Sequence, residues 1–327
     1  MALAYRRLAL FTAGLAFVVI VVGAYVRLED AGLGCPDWPG CYGQLIGVPV
    51  EPHEITRAEE AFSKPVDIGR ARKEMLHRYL AGTLGLLIVA LAVMAWRGRS
   101  VLQHSPALAT ALVGLVVLQA ALGKWTVTML LKPVIVTLHL LGGMATLALL
   151  VWLALREHPM AVNAPRGLRG WAILALVVAA VQIALGGWVS TNYAALACID
   201  FPTCHGEWVP PMDFRHGFQL MRELGVTSAG APLSAESLTA IQWAHRVGAL
   251  VTLFVVGGLS IALVRVPALR LYGAILLAIL LLQIALGVAN VLLRLPLVLA
   301  VAHNGGAALL LAALVMLNFA LSRTPPH

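Results

Sequence analysis

The sequence predicts an all-α integral membrane protein, with eight transmembrane helices arranged as two parallel, pseudo-symmetric four-helix bundles. Three observations carry this. Of 327 residues, 60% are hydrophobic and 12% charged, and the mean hydropathy is +0.88; a soluble domain carries about twice that charge. Eight apolar runs fall at 8–26, 76–96, 106–124, 133–155, 171–190, 239–264, 268–290 and 297–321. Each has about the 20 residues that cross a bilayer, where only a helix satisfies its own backbone. The two halves, 1–160 and 161–327, also repeat one another in order.

The first run follows Arg6 and Arg7 and continues to Tyr25 and Val26 without a small-residue cleavage site. It reads as a retained helix rather than a signal peptide. No Arg/Ser-rich presequence precedes it, which favours a bacterial inner membrane over an organelle. Arg97, Arg99, Arg156, Arg166, Arg169, Arg265, Arg270 and Arg323 flank the ends that share a side with Arg6 and Arg7, where Glu157 is the sole acid. This positive-inside pattern places both termini in the cytoplasm and argues against nucleic acid as the reason for the net charge of +8. The longer loops, 27–75 and 191–238, then face outward with every other acidic residue.

The repeat is explicit. GAYVRLEDAGLGC (23–35) aligns with GGWVSTNYAALAC (186–198), and CPDWPGC (35–41) with CIDFPTC (198–204). LHRYLAG around His77 aligns with AHRVGAL around His245, QAALG (119–123) with QIALG (283–287), and LHLLGG around His139 with AHNGGA around His303. Four spans per half bring the second half in with the orientation of the first, so the repeat is parallel. Gly82, Gly85, Gly142, Gly143, Gly257 and Gly258 suit close helix packing.

His77, His139, His245 and His303 begin the even-numbered spans, one or two turns below the outer face. Buried ionisable groups in membrane helices are costly and mark function. Two histidines from two helices can ligate one heme iron from both faces, whereas zinc wants further ligands at the same point. The residues four positions on, Ala81, Gly143, Ala249 and Ala307, are small and leave the surface below each imidazole clear. Arg78 and Arg246 follow two of the histidines and suit propionate pairing, or else snorkel to the interface.

Cys35, Cys41, Cys198 and Cys204 lie in the long loops. An oxidising exterior favours two disulfides within the loops. A metal site that includes His205 is the weaker reading, and a redox role for the first pair stays open. The halves differ at one telling position: Glu74 precedes His77 by three residues, where Gln242 precedes His245. Glu74 therefore shares a helix face with His77, as a general base beside a heme or as an interfacial acid neutralising Arg72, Lys73 or Arg78.

EMLHR (74–78), TLHLLGG (137–143), WAHRVGA (243–249), VAHNGGA (301–307) and the loop motif CPDWPGC resemble heme A synthases over almost the whole chain. The resemblance implies oxidation of the C8 methyl of heme O to a formyl group, giving heme A for cytochrome oxidase, by successive hydroxylation and loss of water. It implies that His77 and His139 hold the substrate heme in the N-terminal half and that His245 and His303 ligate a resident heme b in the other. It casts Glu74 as the catalytic carboxylate, stabilising a carbocation at the methyl carbon, and Cys35 and Cys41 as the family's functional pair, with Cys198 and Cys204 matching a second pair found in some members. Heme O synthase and cytochrome oxidase assembly factors are the protein partners it implies, with homo-oligomer formation left open. Two other classes compete. A diheme electron carrier would place its hemes toward opposite faces, unlike these histidines. A heme transporter would break its helices near the midplane, and no span has such an interruption.

Overall fold

The computed structural model describes residues 1–102, 105–156, 162, 165 and 167–322. Glu157, Arg166 and Arg323, read above as flanking charges, lie outside them. Among the described residues the chain is helical without strands, and eight helices are long and apolar enough to cross a membrane. In chain order these are α1 (Ala2–Leu28), α3 (Ile68–Arg97), α4 (Ala107–Thr128), α5 (Pro133–Arg156), α6 (Leu168–Thr191), α8 (Ala235–Val264), α9 (Arg270–Leu292) and α10 (Leu297–Ser322); α2 (Pro52–Phe62) and α7 (Phe214–Gly217) are short helices in the two long loops.

Helix starts follow local chemistry rather than hydropathy. The apolar runs begin at 76 and 239, yet α3 starts at Ile68 and α8 at Ala235. The Asp67 side chain accepts the Arg70 N–H, and the Ser234 side chain accepts the Ser237 N–H, capping orphan amides that lipid would not tolerate. Glu51 and Glu54 form a capping box around Pro52, which sets α2 where the sequence reads as plain loop. The α4–α5 and α9–α10 links turn alike: Leu130 and Leu131 in one, Arg294 and Leu295 in the other, take left-handed backbone.

Neighbours recur between the halves. α1 packs against α3 and α5 as α6 packs against α8 and α10; α4 lies between α3 and α5 as α9 lies between α8 and α10. Across the halves α1 meets α10, α5 meets α6, and α5 meets α10. α10 is the most buried span. Leu310, Leu314 and Leu317 serve the second core and Ala308 and Val315 the first, so one helix belongs to both.

The ends of α1 and α6 are tied at the long-loop end. Arg27 Nη2 donates to the Ser190 carbonyl at 2.9 Å and Nη1 to the Tyr193 hydroxyl at 2.8 Å, which donates in turn to Asp30 at 2.8 Å. Lys132 pairs with Glu223 at 2.9 Å, drawing the second loop onto the first half.

Candidate active site

All four histidines sit near the N-terminal ends of their helices, and those ends share the side of the bundle that carries the long loops. His139 and His303 lie six residues into α5 and α10, roughly 9 Å along the axis; His77 and His245 lie deeper in α3 and α8 because those helices start early. Each imidazole is surrounded by protein and still keeps accessible surface, as a side chain lining a cleft does. The His245 and His303 rings stand 6.5 Å apart between centroids with their planes at 85°. Two metal–imidazole bonds and the ring radii at either end span roughly that distance.

Glycines make these positions. A Cβ at Gly23 would stand 2.9 Å from His77 Cε1, at Gly123 3.4 Å from His139 Cε1, at Gly186 3.0 Å from His245 Cε1, and at Gly287 3.1 Å from His303 Cε1. The four lie on the helices that precede the histidine helices, at matching places in the repeat. They are missing from the sequence reading, although Gly23 and Gly186 open one quoted repeat and Gly123 and Gly287 close another. The signal was a glycine at matching places in the repeat, 16 residues before both His139 and His303, and 54 and 59 residues before His77 and His245.

The donor sets suit heme. Among the described residues no cluster of three or more His, Cys, Asp or Glu assembles, and the candidate heme ligands are pairs of imidazoles on different helices. His303 Nδ1 donates to the Gln283 backbone carbonyl at 3.1 Å, and its Nε2 stands 3.4 Å from the Gln283 side-chain amide. His77 Nδ1 and His139 Nδ1 are buried without partners.

Glu74 is 5% exposed, as is Gln242 in the equivalent place, but their surroundings differ. Glu74 Oε2 accepts the Cys35 backbone N–H at 2.9 Å, and Oε1 meets Arg78 Nη2 at 2.5 Å. Arg72 and Lys73 are not its partners; Lys73 pairs with Glu29. Gln242 Oε1 has no partner. Arg246 Nη2 binds instead the carbonyls of Cys198 and Asp200, at 2.9 and 2.8 Å, and Nη1 that of Thr203 at 2.7 Å.

Both loops close alike. Cys35 bonds to Cys41 and Cys198 to Cys204, as the oxidising exterior led us to expect; His205 therefore has no thiolate beside it to share a metal. Asp37 accepts the N–H groups of Tyr42 and Gly43, and Asp200 those of His205 and Gly206. The Gly206 amide foremost, then the Thr203 hydroxyl and the His205 amide, hold the Asp200 carboxyl well below the usual carboxylate range. Arg78 Nη1 clamps the first loop through the carbonyls of Asp37 (3.0 Å), Pro39 (3.3 Å) and Gly40. Glu74, Arg78 and the Cys35–Cys41 ring thus form one connected unit above His77.

The sequence matches the cytochrome oxidase assembly protein family COX15-CtaA over residues 6–315. It is 41% identical over 309 residues to the heme A synthase of Shewanella oneidensis, covering 93% of this chain and 92% of that protein. The heme A synthase of Methylobacterium radiotolerans is 31% identical across 89% of this chain and 83% of its own length. That of Nitrosospira multiformis is 28% identical across 94% and 91%. With its repeat, its paired histidines and a match that runs nearly end to end, the chain belongs to the COX15-CtaA family of cytochrome oxidase assembly proteins.

Proposed function

We propose that this multi-pass membrane protein is a heme A synthase, oxidising the C8 methyl of heme O to a formyl group. The observation that carries the reading is the asymmetry between Glu74 and Gln242. Both are buried one turn before a histidine, in a chain 41% identical to a heme A synthase across its length, and only one can hold or release a proton.

His77 and His139 hold the substrate heme in residues 1–160. His245 and His303 hold a heme b in residues 161–327, which when bound supplies a route for electrons. Converting a methyl to a formyl group with oxygen from water delivers four electrons to an external acceptor and releases four protons, which a base near the methyl would take up. Glu74 is that base, positioned by the Cys35 amide and by Arg78, and its charge favours a positive centre at the methyl carbon. Arg78 and Arg246 stand next to His77 and His245 and would pair with heme propionates, and Arg246 Nε retains a free donor. The loop disulfides and the arginine-bearing opposite ends support a bacterial inner-membrane orientation with both termini cytoplasmic.

Mass identification of the hemes extracted from protein co-expressed with a heme O synthase tests this. Wild type should carry heme b together with heme O or heme A. Glu74→Gln, which copies the second half, should retain both hemes and make about a hundredfold less heme A. Heme A at the wild-type level in that variant would sink the assignment of Glu74; heme b alone at two equivalents per chain would sink the synthase reading.

A further inference from the structure

Glutamines inside the spans distinguish the two pockets. Three residues after His139, His245 and His303 stand Gly142, Gly248 and Gly306. Each gives room to a glutamine from the neighbouring helix, since a Cβ there would meet Gln119, Gln182 or Gln283 respectively.

In the second half both amides reach the ligand residue itself. Gln182 Nε2 donates to the His245 carbonyl at 3.0 Å and stands 3.1 Å from its Nδ1. Gln283 Nε2 donates to the His303 carbonyl at 2.8 Å and stands 3.4 Å from its Nε2, while the Gln283 backbone carbonyl accepts from His303 Nδ1. In the first half the Gln119 backbone lies within hydrogen-bonding reach of the His139 ring as that of Gln283 does of His303, but the Gln119 amide nitrogen and His139 Nδ1 are left without partners. Around His77 the device is absent altogether. Leu80 takes the glycine's place, and Val19, four residues before Gly23, stands where Gln182 stands four residues before Gly186. His77 Nδ1 is left buried without a partner.

Groups that hold the outer nitrogen of a metal-bound imidazole fix the ring and strengthen its bond to the metal. We propose that Gln182 is a positioning residue that makes the second pocket retain its heme, and that Val19 and Leu80 leave His77 as the releasing ligand of the first. This rests on the ligand assignment above and deepens it: a substrate site must exchange heme O for product, whereas a cofactor site must not. A metal-bound neutral imidazole carries its proton on the nitrogen away from the metal. A half-turn of the Gln182 amide presents its partnerless Oε1 to that proton, exchanging the bond to the His245 carbonyl for one to the ring.

The test is heme transfer from full-length protein in lipid nanodiscs to excess apomyoglobin, with the heme species identified by mass. The midpoint potential and low-spin electron paramagnetic resonance spectrum of the b heme are read in parallel. Gln182→Met keeps the volume and removes the amide. It should release heme b about tenfold faster or more, with a shifted potential and spectrum that a merely structural role would not produce. Val19→Gln with Leu80→Gly builds the corner into the first half and should slow release there by about tenfold. An unchanged rate and potential in Gln182→Met overturn the proposal, and that variant decides alone if the paired one does not fold. If His245→Ala leaves the heme spectrum of the protein unaltered, the ligand assignment has failed instead.

Discussion

At the scale of single residues, the pockets are made as much by what is missing as by what is present. Four glycines stand where a methyl would press on an imidazole. Gly287→Ala should therefore strain the second pocket by about 1–3 kcal/mol and lower the heme b content of purified protein, read as the ratio of heme to protein. Gly14→Ala, on a helix face with nothing within 4 Å, should leave that ratio unchanged. The histidines and Glu74 were legible because ionisable residues stand out against apolar spans. The glycines and Gln119, Gln182 and Gln283 were not, because a small or neutral residue in a membrane helix carries meaning only through what it faces. The arginines were half legible. Their place beside the histidines was plain, but their grip on the carbonyls of the disulfide loops depends on a tertiary fold that spacing does not encode.

At the scale of elements, hydropathy located the eight spans and placed the beginnings of α1, α3 and α8 four or more residues late. α3 and α8 extend into the loops on polar turns, so their capped starts lie outside the apolar runs. α2 was hidden because an amphipathic helix in a loop has no long apolar run, although its capping box and Pro52 were in plain view. The disulfide loops make a pH prediction. The Asp200 carboxyl, held below its ordinary value by amides and a hydroxyl, contributes order that is fully present above about pH 3.9, the unfolded value. That order is lost only as pH falls through the lower folded value. Hydrogen exchange in residues 198–207 should stay slow at pH 4 and quicken below it. Asp200→Asn should exchange quickly at neutral pH with little dependence on acid.

At the scale of the whole molecule, the two halves are joined rather than merely adjacent. α10 serves both cores, and Arg27 binds across to Ser190 and Tyr193 at the loop end. Arg27→Ala removes those cross-half bonds and the stacking on Tyr193. It should speed backbone exchange at both the 27–35 and 190–198 segments, although the two lie far apart in sequence. The repeat was legible from the aligned motifs; the contact of α5 with α10 between the halves was not, since a repeat fixes likeness and leaves the mode of joining open. The shared end of the four histidines has one more consequence. On the proposed assignment of the histidines, an electron passing from the substrate heme to the second heme would travel sideways, parallel to the bilayer plane. Moving one charge fully across 100 mV involves about 2.3 kcal/mol, whereas a sideways step does no work against that voltage. Heme A yield in proteoliposomes should therefore be the same under potassium diffusion potentials of either sign, so that the enzyme works equally well in energised and de-energised cells.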